Sequence, residues 1–205
     1  MQYTIFATPW GDFAFVDRNT RIVASYLLCS RRTMLQRIGR EWPDAQPADD
    51  LMPEVRREIL RYFEGEPVSL DVPIDLSSVS PFRRRVLEIC REIPYGQTSS
   101  YAELARLAGS PAAARAVGGA MAHNPISLLV PCHRVLRSDG SLGGFSSPHG
   151  TDLKQRLLAM ERRSAAVAIT ANRRVDGELR QRQTADRHGM LPVPCGAPPE
   201  GSGRR

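Results

Sequence analysis

Residues 100–124 read SYAELARLAGSPAAARAVGGAMAHN, and this stretch decides the fold of the second half of the chain. Ser100 followed three residues later by Glu103 forms a capping box, so a short helix is predicted to start here. Pro111 is predicted to open a second helix that ends near residue 123. Two short helices joined at Gly109 are typical of a helix-turn-helix unit, although many other helix pairs share that pattern.

The second of these helices has almost no side-chain bulk. Its small residues are Ala112, Ala113, Ala114, Ala116, Gly118, Gly119 and Ala120. A glycine inside a helix costs about 1 kcal/mol relative to alanine, so the Gly118-Gly119 pair needs a structural reason. Either another helix packs closely here, or a nucleic-acid backbone approaches. Arg115 is the only long side chain in the middle of the helix, which suits a minor groove entered by one side chain better than readout of the major groove.

The pentapeptide Pro131-Cys132-His133-Arg134-Val135 follows an apolar run over residues 126–130. A free thiol is mostly protonated at neutral pH, and a nearby imidazole can take its proton directly or through a water molecule. Neighbours in a strand point to opposite faces, so the pair Cys132-His133 requires a turn or a bridging water. Glu161, on the last predicted helix, is the best candidate to orient the imidazole. Cys-His pairs are often structural, but this context favours an activated thiolate nucleophile.

Composition and charge narrow the class of protein. The 205 residues are 41% hydrophobic, which is enough for one large domain or two small ones. The net charge is +6, with an acidic excess before residue 80 and a basic excess after it. A basic half predicts a polyanionic partner, and the alternative is a basic face that only contacts solvent. We expect a cytoplasmic protein, because neither a signal peptide nor a membrane span is visible.

The four cysteines do not form a metal or disulfide framework. They lie at positions 29, 90, 132 and 195, without a C-x-x-C pair, and the histidines do not complete a zinc spacing. Cys29 and Cys90 lie in apolar surroundings and are predicted to be core residues. We therefore predict no metal.

The chain is predicted to have three parts. Residues 1–76 contain alternating strands over the first 28 positions and helices near 30–40 and 53–63, which predicts a small α/β domain without visible chemistry of its own. Residues 77–163 hold the helix pair and Cys132, after a helix from Pro81. Residues 83–85 of that helix are all arginine and are predicted to form a solvated face, with contact to DNA phosphates as the alternative. Residues 164–205 are predicted to be a basic, disordered tail.

Several blocks in one order make residues 93–161 similar to a known family. They are Ile93-Pro94-Tyr95-Gly96, Ser100-Tyr101 with Leu104-Ala105, residues 114–121, Asn124-Pro125, residues 131–135, Gly143-Gly144, and Lys154 with Leu157-Leu158 and Glu161. This pattern resembles the O6-alkylguanine-DNA alkyltransferases, also called methylated-DNA–protein-cysteine methyltransferases. The resemblance implies an α/β N-terminal ribonuclease-H-like domain, and a mainly α C-terminal winged-helix-like DNA-binding domain that carries the active-site cysteine.

The resemblance also implies an irreversible, single-turnover reaction that needs no cofactor. Cys132 would take the alkyl group from O6-alkylguanine in DNA, with O4-alkylthymine as a further candidate substrate. His133 would act as the base through water, and Glu161 would orient it. Asn124 matches the position that supports the active-site turn, and Tyr101 matches the residue that protonates the leaving guanine. The target base must be flipped out, since a sulfur cannot reach O6 inside the stack.

Further positions match the DNA-contact surface and base pocket of that family. Arg115 matches the finger that fills the gap left by the flipped base. The minor-groove contact positions are Ala113, Ala114, Ala116 and Gly118, and the guanine-recognising positions are Val135, Phe145 and Ser146. The predicted partner is double-stranded DNA carrying O6-alkylguanine, bound through its minor groove by a monomer. Phe145 departs from the tyrosine that the family often has there, and the loop over residues 147–150 is longer than in the shortest members.

Alternative interpretations of these residues stay open. Tyr101 could be a packing aromatic, Glu161 could pair with a lysine or arginine of its own helix, and Asn124 could simply end a helix. Three other functions compete with alkyl transfer: a lesion-binding module without repair activity, a DNA-binding regulator that senses alkylation, and a Cys-His hydrolase. The first of these lacks the cysteine in known examples, the second needs a further domain, and the third needs an oxyanion hole. Cys132 in its context favours the alkyltransferase.

Overall fold

The computed structural model describes residues 1–145 and 150–167. The described residues form one compact unit that extends to Val167. Ser146 and all but the first four residues of the predicted tail lie outside the described residues. Those four residues, 164–167, continue the last helix, so the helix extends past the predicted start of the tail.

The N-terminal segment is built on a four-stranded sheet. Strands β1 (Gln2–Thr8), β2 (Gly11–Arg18) and β3 (Arg21–Leu27) are antiparallel neighbours, as the alternating sequence predicts. A short strand β4 (Gln46–Pro47) pairs parallel with β1 and gives the order β3-β2-β1-β4. Asn19 has a left-handed φ of 53°, which closes the hairpin between β2 and β3.

Two helices cover the two faces of this sheet. Helix α1 (Arg31–Glu41) is capped by Ser30, whose side chain accepts the N–H of Thr33, and it packs on one face through Met34 and Ile38. Helix α2 (Pro53–Phe63) starts at its proline and packs on the opposite face, against phenylalanines of β1 and β2. Its buried residues are Val55, Ile59, Tyr62 and Phe63. Both helices agree with the predicted ranges.

The C-terminal segment is mainly helical. It contains α3 (Pro81–Arg91), β5 (Ser99–Ser100), α4 (Tyr101–Leu107), a 3₁₀ turn (Pro111–Ala113), α5 (Ala114–Ala122), a second 3₁₀ turn (Cys132–Arg134), β6 (Val135–Leu136) and α6 over residues 150–167. Strands β5 and β6 pair in parallel. The Ser100 side chain accepts the N–H of Glu103 at 3.0 Å, and Gly109 turns the chain with a φ of 77°. These contacts confirm the predicted cap and helix pair.

The two segments share one hydrophobic core, and the sheet edge also holds the segment that leads to Cys132. The backbone N–H of Ser25, on β3, donates to the carbonyl of Pro125 at 2.9 Å. The hydroxyl of Ser25 donates to the carbonyl of Ser127 at 2.7 Å. The N-terminal segment therefore fixes the backbone several residues ahead of the candidate nucleophile.

The predicted solvated face on α3 is wrong for two of its three arginines. Arg83 donates to the carbonyl of His123 at 2.7 Å, at the end of α5. Arg84 donates to the carbonyls of Leu76 and Ser77 at 3.2 and 3.0 Å, so it ties α3 to the preceding segment. Arg85 is exposed. Backbone carbonyls at the C-terminal end of a helix lack partners within the helix, which explains the contact of Arg83 with His123.

Two further expectations concern cysteines and membranes. Cys90 is fully buried as predicted, whereas Cys29 is only partly buried against the smaller core cluster. Within residues 1–145 and 150–167, no helix combines the length and apolar character that crossing a membrane requires.

Candidate active site

Cys132 begins the second 3₁₀ turn, so the turn that its pairing with His133 requires is present. Asn124 holds the approach to this turn from both sides: its side-chain nitrogen donates to the carbonyl of Val130 at 2.9 Å, and its oxygen accepts the N–H of Ile126 at 3.0 Å. Asn124 therefore does not simply end a helix, because its side chain also holds the backbone ahead of Cys132. Cys132 is only 4% exposed, which restricts access to the sulfur to atoms delivered into a narrow opening.

The Cys132 sulfur is a thiol in the resting protein. Burial raises the pKa of Cys132 above its ordinary value, and hydrogen bonding to Asn124 together with the charge of Lys154 offsets this only in part. The proton must leave during the reaction, and an adjacent base is required.

Glu161 on α6 accepts hydrogen bonds from four residues. His133 Nε2 lies 2.8 Å from Oε1, and the hydroxyl of Tyr62 donates to the same oxygen at 2.6 Å. Arg134 donates from Nε to Oε2 and from Nη2 to Oε1, both at 2.9 Å, and the N–H of Gly96 donates to Oε2 at 3.1 Å. Glu161 thus faces His133 and does not pair with the cations of its own helix.

The Glu161 carboxylate stays ionised although it is buried. Burial alone would raise its pKa, but the hydrogen bonds and charges of His133 and Arg134 outweigh burial and lower the pKa to about 2. A permanently charged acceptor requires donors around it, and all four neighbours are donors here.

His133 is neutral and has one free basic nitrogen. Burial lowers the pKa of His133, and the attraction of Glu161 offsets this only in part. Nε2 faces the carboxylate, so it carries the hydrogen, and Nδ1 carries the lone pair. Among the described residues, buried Nδ1 has no hydrogen-bond partner. This lone pair can accept a proton.

An open cavity of about 910 Å³ lies between α4, α5 and the segment after β6. Its lining residues are Tyr101, Ala102, Ala114, Arg115, Gly118, Ala122, Arg137, Ser138, Gly143, Gly144 and Phe145. Tyr101 lines this cavity and lies near enough to Cys132 to interact with it electrostatically, and burial raises the pKa of Tyr101 and keeps its hydroxyl protonated. A cavity of this size has room for a nucleobase.

The small-residue helix α5 presents an open surface to this cavity. A Cβ atom added at Gly118 or Gly119 would meet no atom within 4 Å among its neighbours, so close helix packing does not explain the two glycines. Arg115 is exposed beside them. Of the predicted groove positions, Ala114 and Gly118 line the cavity, whereas Ala113 and Ala116 lie on the same segment outside its lining.

The three predicted base-pocket residues do not lie together in the cavity lining that the structure describes. Phe145 lines the cavity. Val135 is fully buried. Its N–H donates to the carbonyl of Cys132, and its carbonyl accepts a hydrogen bond from Lys154 Nζ at 2.6 Å, so both backbone groups already have partners within the protein. Ser146 lies outside the described residues.

Three buried polar residues of the site were not predicted to act there. They are Tyr62, Arg134 and Lys154, each of which hydrogen-bonds within the site. Arg134 and Lys154 stand inside the quoted sequence blocks, and that position is the signal that could have marked both. In the described part of the chain, no cluster of three or more His, Cys, Asp or Glu side chains could hold a metal ion.

Two family models match the chain. Residues 1–76 match "6-O-methylguanine DNA methyltransferase, ribonuclease-like domain", and residues 81–163 match "6-O-methylguanine DNA methyltransferase, DNA binding domain". Together the two matches cover most of the chain.

Individual relatives agree with these models. The chain is 50% identical over 109 residues to a methylated-DNA–protein-cysteine methyltransferase of Mycolicibacterium paratuberculosis, a match that covers 53% of this chain and 64% of the relative. It is 35% identical over 162 residues to the enzyme of that name from Methanosarcina acetivorans, covering 78% of this chain and 98% of the relative.

A solved structure supports the same assignment. The crystal structure of Mycobacterium tuberculosis OGT in complex with DNA superimposes with a TM-score of 0.68 at 33% identity, covering 80% of this chain and 94% of that chain. The fold is thus shared over nearly the whole length of that protein. The chain belongs to the 6-O-methylguanine DNA methyltransferase family.

Proposed function

We propose that this protein repairs DNA by moving an alkyl group from guanine O6 to Cys132, once per molecule. The observation that carries this proposal is a buried Cys132 thiol on the same turn as a neutral imidazole whose Nε2 lies 2.8 Å from Glu161 Oε1. The N-terminal domain would span residues 1–76, the catalytic and DNA-binding domain residues 77–163, and a basic tail residues 164–205.

The chemistry is a displacement at the alkyl carbon. The Cys132 proton passes to His133 Nδ1 through a water molecule, and the sulfur attacks the alkyl carbon as the carbon–O6 bond breaks. The bonding electrons leave with guanine, which takes a proton from the Tyr101 hydroxyl, and Tyr101 regains a proton from solvent. Glu161 stabilises the imidazolium that forms. A thioether is stable, and no described residue is positioned to reverse the step, so each molecule acts once.

The proposed substrate is double-stranded DNA carrying O6-alkylguanine, bound by a monomer through its minor groove. The side-chain-poor surface of α5 supports this proposal, because a flat helix without Asn, Gln or Lys suits a shallow groove. The flipped base would enter the cavity beside Tyr101, and Arg115 would fill the gap that it leaves in the stack.

Counting the methyl groups transferred tests the proposed reaction. The protein is incubated with an excess of duplex DNA that contains O6-methylguanine, and the restored guanine is quantified over time. We expect a plateau at one repaired base for each protein molecule. Continued turnover beyond that plateau would reject the proposal.

Arg115→Ala is expected to slow repair of duplex DNA far more than reaction with free O6-benzylguanine. Extruding a base costs a few kcal/mol, so losing the side chain that replaces it slows duplex repair by about tenfold or more. Single-turnover rates on both substrates measure this. Arg106→Ala, an exposed arginine paired with Glu103 on α4, controls for loss of positive charge. Equal slowing on the two substrates would exclude the proposed role of Arg115.

Gly143→Ala is expected to slow transfer to free O6-benzylguanine on the order of 100-fold, since small misplacements of a reacting group have effects of that size. A Cβ at Gly143 would overlap the hydroxyl and ring of Tyr101 and displace that side chain. Gly144→Ala is the matched control, because a Cβ there meets no atom within 4 Å. Similar rates for the two variants would show that the position of Tyr101 is unimportant.

A further inference from the structure

The N-terminal domain contacts the proton-transfer residues through one side chain. Tyr62, on α2, is fully buried, and its hydroxyl lies 2.6 Å from Glu161 Oε1 and 3.3 Å from His133 Nε2. Its ring makes edge-to-face contacts with Phe63 and Tyr95, at centroid distances of 5.5 and 5.9 Å. These rings leave the hydroxyl little freedom to move.

Only one distribution of hydrogens satisfies these contacts. An ionised carboxylate can only accept, so the Tyr62 hydrogen lies on the bond to Glu161. The Tyr62 oxygen then turns a lone pair toward His133 Nε2. Nε2 therefore faces two acceptors and must keep its hydrogen. Nδ1 is therefore left with the lone pair, and Nδ1 is the nitrogen that must accept the Cys132 proton in the transfer.

The Tyr62 hydroxyl keeps its hydrogen at every pH at which the reaction runs. Burial, and then the charge of Glu161, hold the pKa of Tyr62 well above its ordinary value. The residue therefore acts as a permanent donor to the carboxylate. Among the described residues, its hydroxyl contacts Glu161 and His133, and Tyr62 does not line the cavity, so we expect it to act on the sulfur through these two residues.

We propose that Tyr62 is a positioning residue of the alkyl transfer, which holds His133 in the tautomer whose Nδ1 accepts the Cys132 proton. This inference rests on the proposed function. It gives the ribonuclease-like domain a part in the chemistry, through a side chain 71 positions away from the histidine in sequence.

Removing the Tyr62 hydroxyl is expected to change how transfer depends on pH. The groups that face His133 or its carboxylate are Tyr62 from α2, Arg134 and Cys132 from the same turn, Lys154 and Glu161 from α6, and Tyr95 from the segment after α3. Without the hydroxyl, the charge of Glu161 is less neutralised and attracts protonated His133 more strongly. The pKa of His133 therefore rises, and the base is lost at a higher pH.

Tyr62→Phe keeps the ring and deletes only this hydroxyl. We expect the acid limb of the pH profile for reaction with O6-benzylguanine to move up by about one pH unit, since a hydrogen bond to a charged group has an energy of that order. Transfer at a fixed pH on that limb then slows about tenfold. Tyr95→Phe is the matched control, because its hydroxyl makes no hydrogen bond to Glu161 or His133 within the described residues.

Nitrogen NMR of the His133 ring in the unsubstituted protein provides a second test that needs no variant. We expect a protonated Nε2 and an unprotonated Nδ1 at neutral pH. The opposite tautomer overturns the inference, and so does a Tyr62→Phe profile that matches that of the unsubstituted protein, even if its melting temperature falls. If the unsubstituted protein never alkylates Cys132, the proposed function fails instead, and the NMR result still decides the tautomer.

Discussion

Cys132→Ala is expected to abolish alkyl transfer while DNA binding stays intact. The sulfur is the atom that accepts the alkyl group in the proposed reaction, so no partial activity should survive its removal. The residue contributes nothing to the exposed surface of α5 on which DNA binding is proposed to depend. Transfer is measured with O6-methylguanine duplex DNA, and binding by titration with the same duplex.

Two further cysteine variants sharpen this test. Cys132→Ser keeps a hydrogen-bonding group near Asn124 but replaces the sulfur with an oxygen that His133 cannot ionise at neutral pH, so it should be as inactive as alanine. Cys29→Ala, in the partly buried N-terminal position, should transfer at the normal rate. Repair by Cys132→Ala would mean that another atom accepts the alkyl group.

Glu161→Gln is expected to damage both stability and transfer. An amide presents only one acceptor oxygen, and its NH₂ group would face donors from Arg134 and Gly96 or from His133 and Tyr62. The Arg134 and Glu161 side chains are only 9% and 1% exposed, so Arg134 would be left as a buried, unpaired charge. Breaking such a pair costs about 3–5 kcal/mol of folding free energy.

The effect on transfer follows from the same contacts. Glu161→Gln removes the negative charge that favours the His133 hydrogen on Nε2 and stabilises the imidazolium, and we expect transfer to slow on the order of 100-fold. Denaturant unfolding and single-turnover rates measure the two effects. Glu103→Gln makes the same change in an exposed pair with Arg106 and should leave both unaltered. A stable, fully active Glu161→Gln protein would contradict the account of this site.

Acid sensitivity of the unsubstituted protein follows from the same two groups. The folded-state pKa values of His133 and Glu161 both lie below their ordinary values of 6.5 and 4.5, and that of Glu161 falls to about 2. Below pH 6.5, and again between 4.5 and about 2, the unfolded chain binds protons that the folded chain does not. Stability should therefore fall with decreasing pH in both ranges, and the fall in the lower range should be smaller for Glu161→Gln.

Much of the fold could be predicted from local signals. The helix pair over residues 100–124 follows from a serine cap, a glycine turn and a proline start, and the structure has each of these. The strands of the first 28 residues follow from alternation. Such features depend on residues a few positions apart, and so a sequence displays them directly.

The nucleophile region could be predicted only in part. Cys132, His133 and Glu161 were identified together, and the structure brings Glu161 to the imidazole. The resting charge of the sulfur depends on burial, which raises the thiol pKa and is a property of the packed protein that neighbours in sequence do not reveal. Sequence adjacency to a histidine indicates a base but not the resting charge.

Tyr62 and Arg83 could not have been assigned from sequence. Tyr62 occupies an apolar helix face, where an aromatic side chain indicates core packing, and its partner Glu161 lies 99 positions away. Arg83 stands in a run of arginines, yet its guanidinium donates to a carbonyl 40 positions away. Contacts between residues so far apart in sequence depend on how helices and strands pack together. Hydrophobic periodicity and helix-capping residues carry no information about such packing.

Peptide mapping by mass spectrometry after reaction with O6-methylguanine DNA tests the central claim most directly. The account predicts that the peptide containing Cys132 gains the mass of one CH₂ group, in step with the loss of the methyl group from the DNA. Those containing Cys29 or Cys90 should stay unmodified. Restored guanine with an unmodified Cys132 would contradict the account.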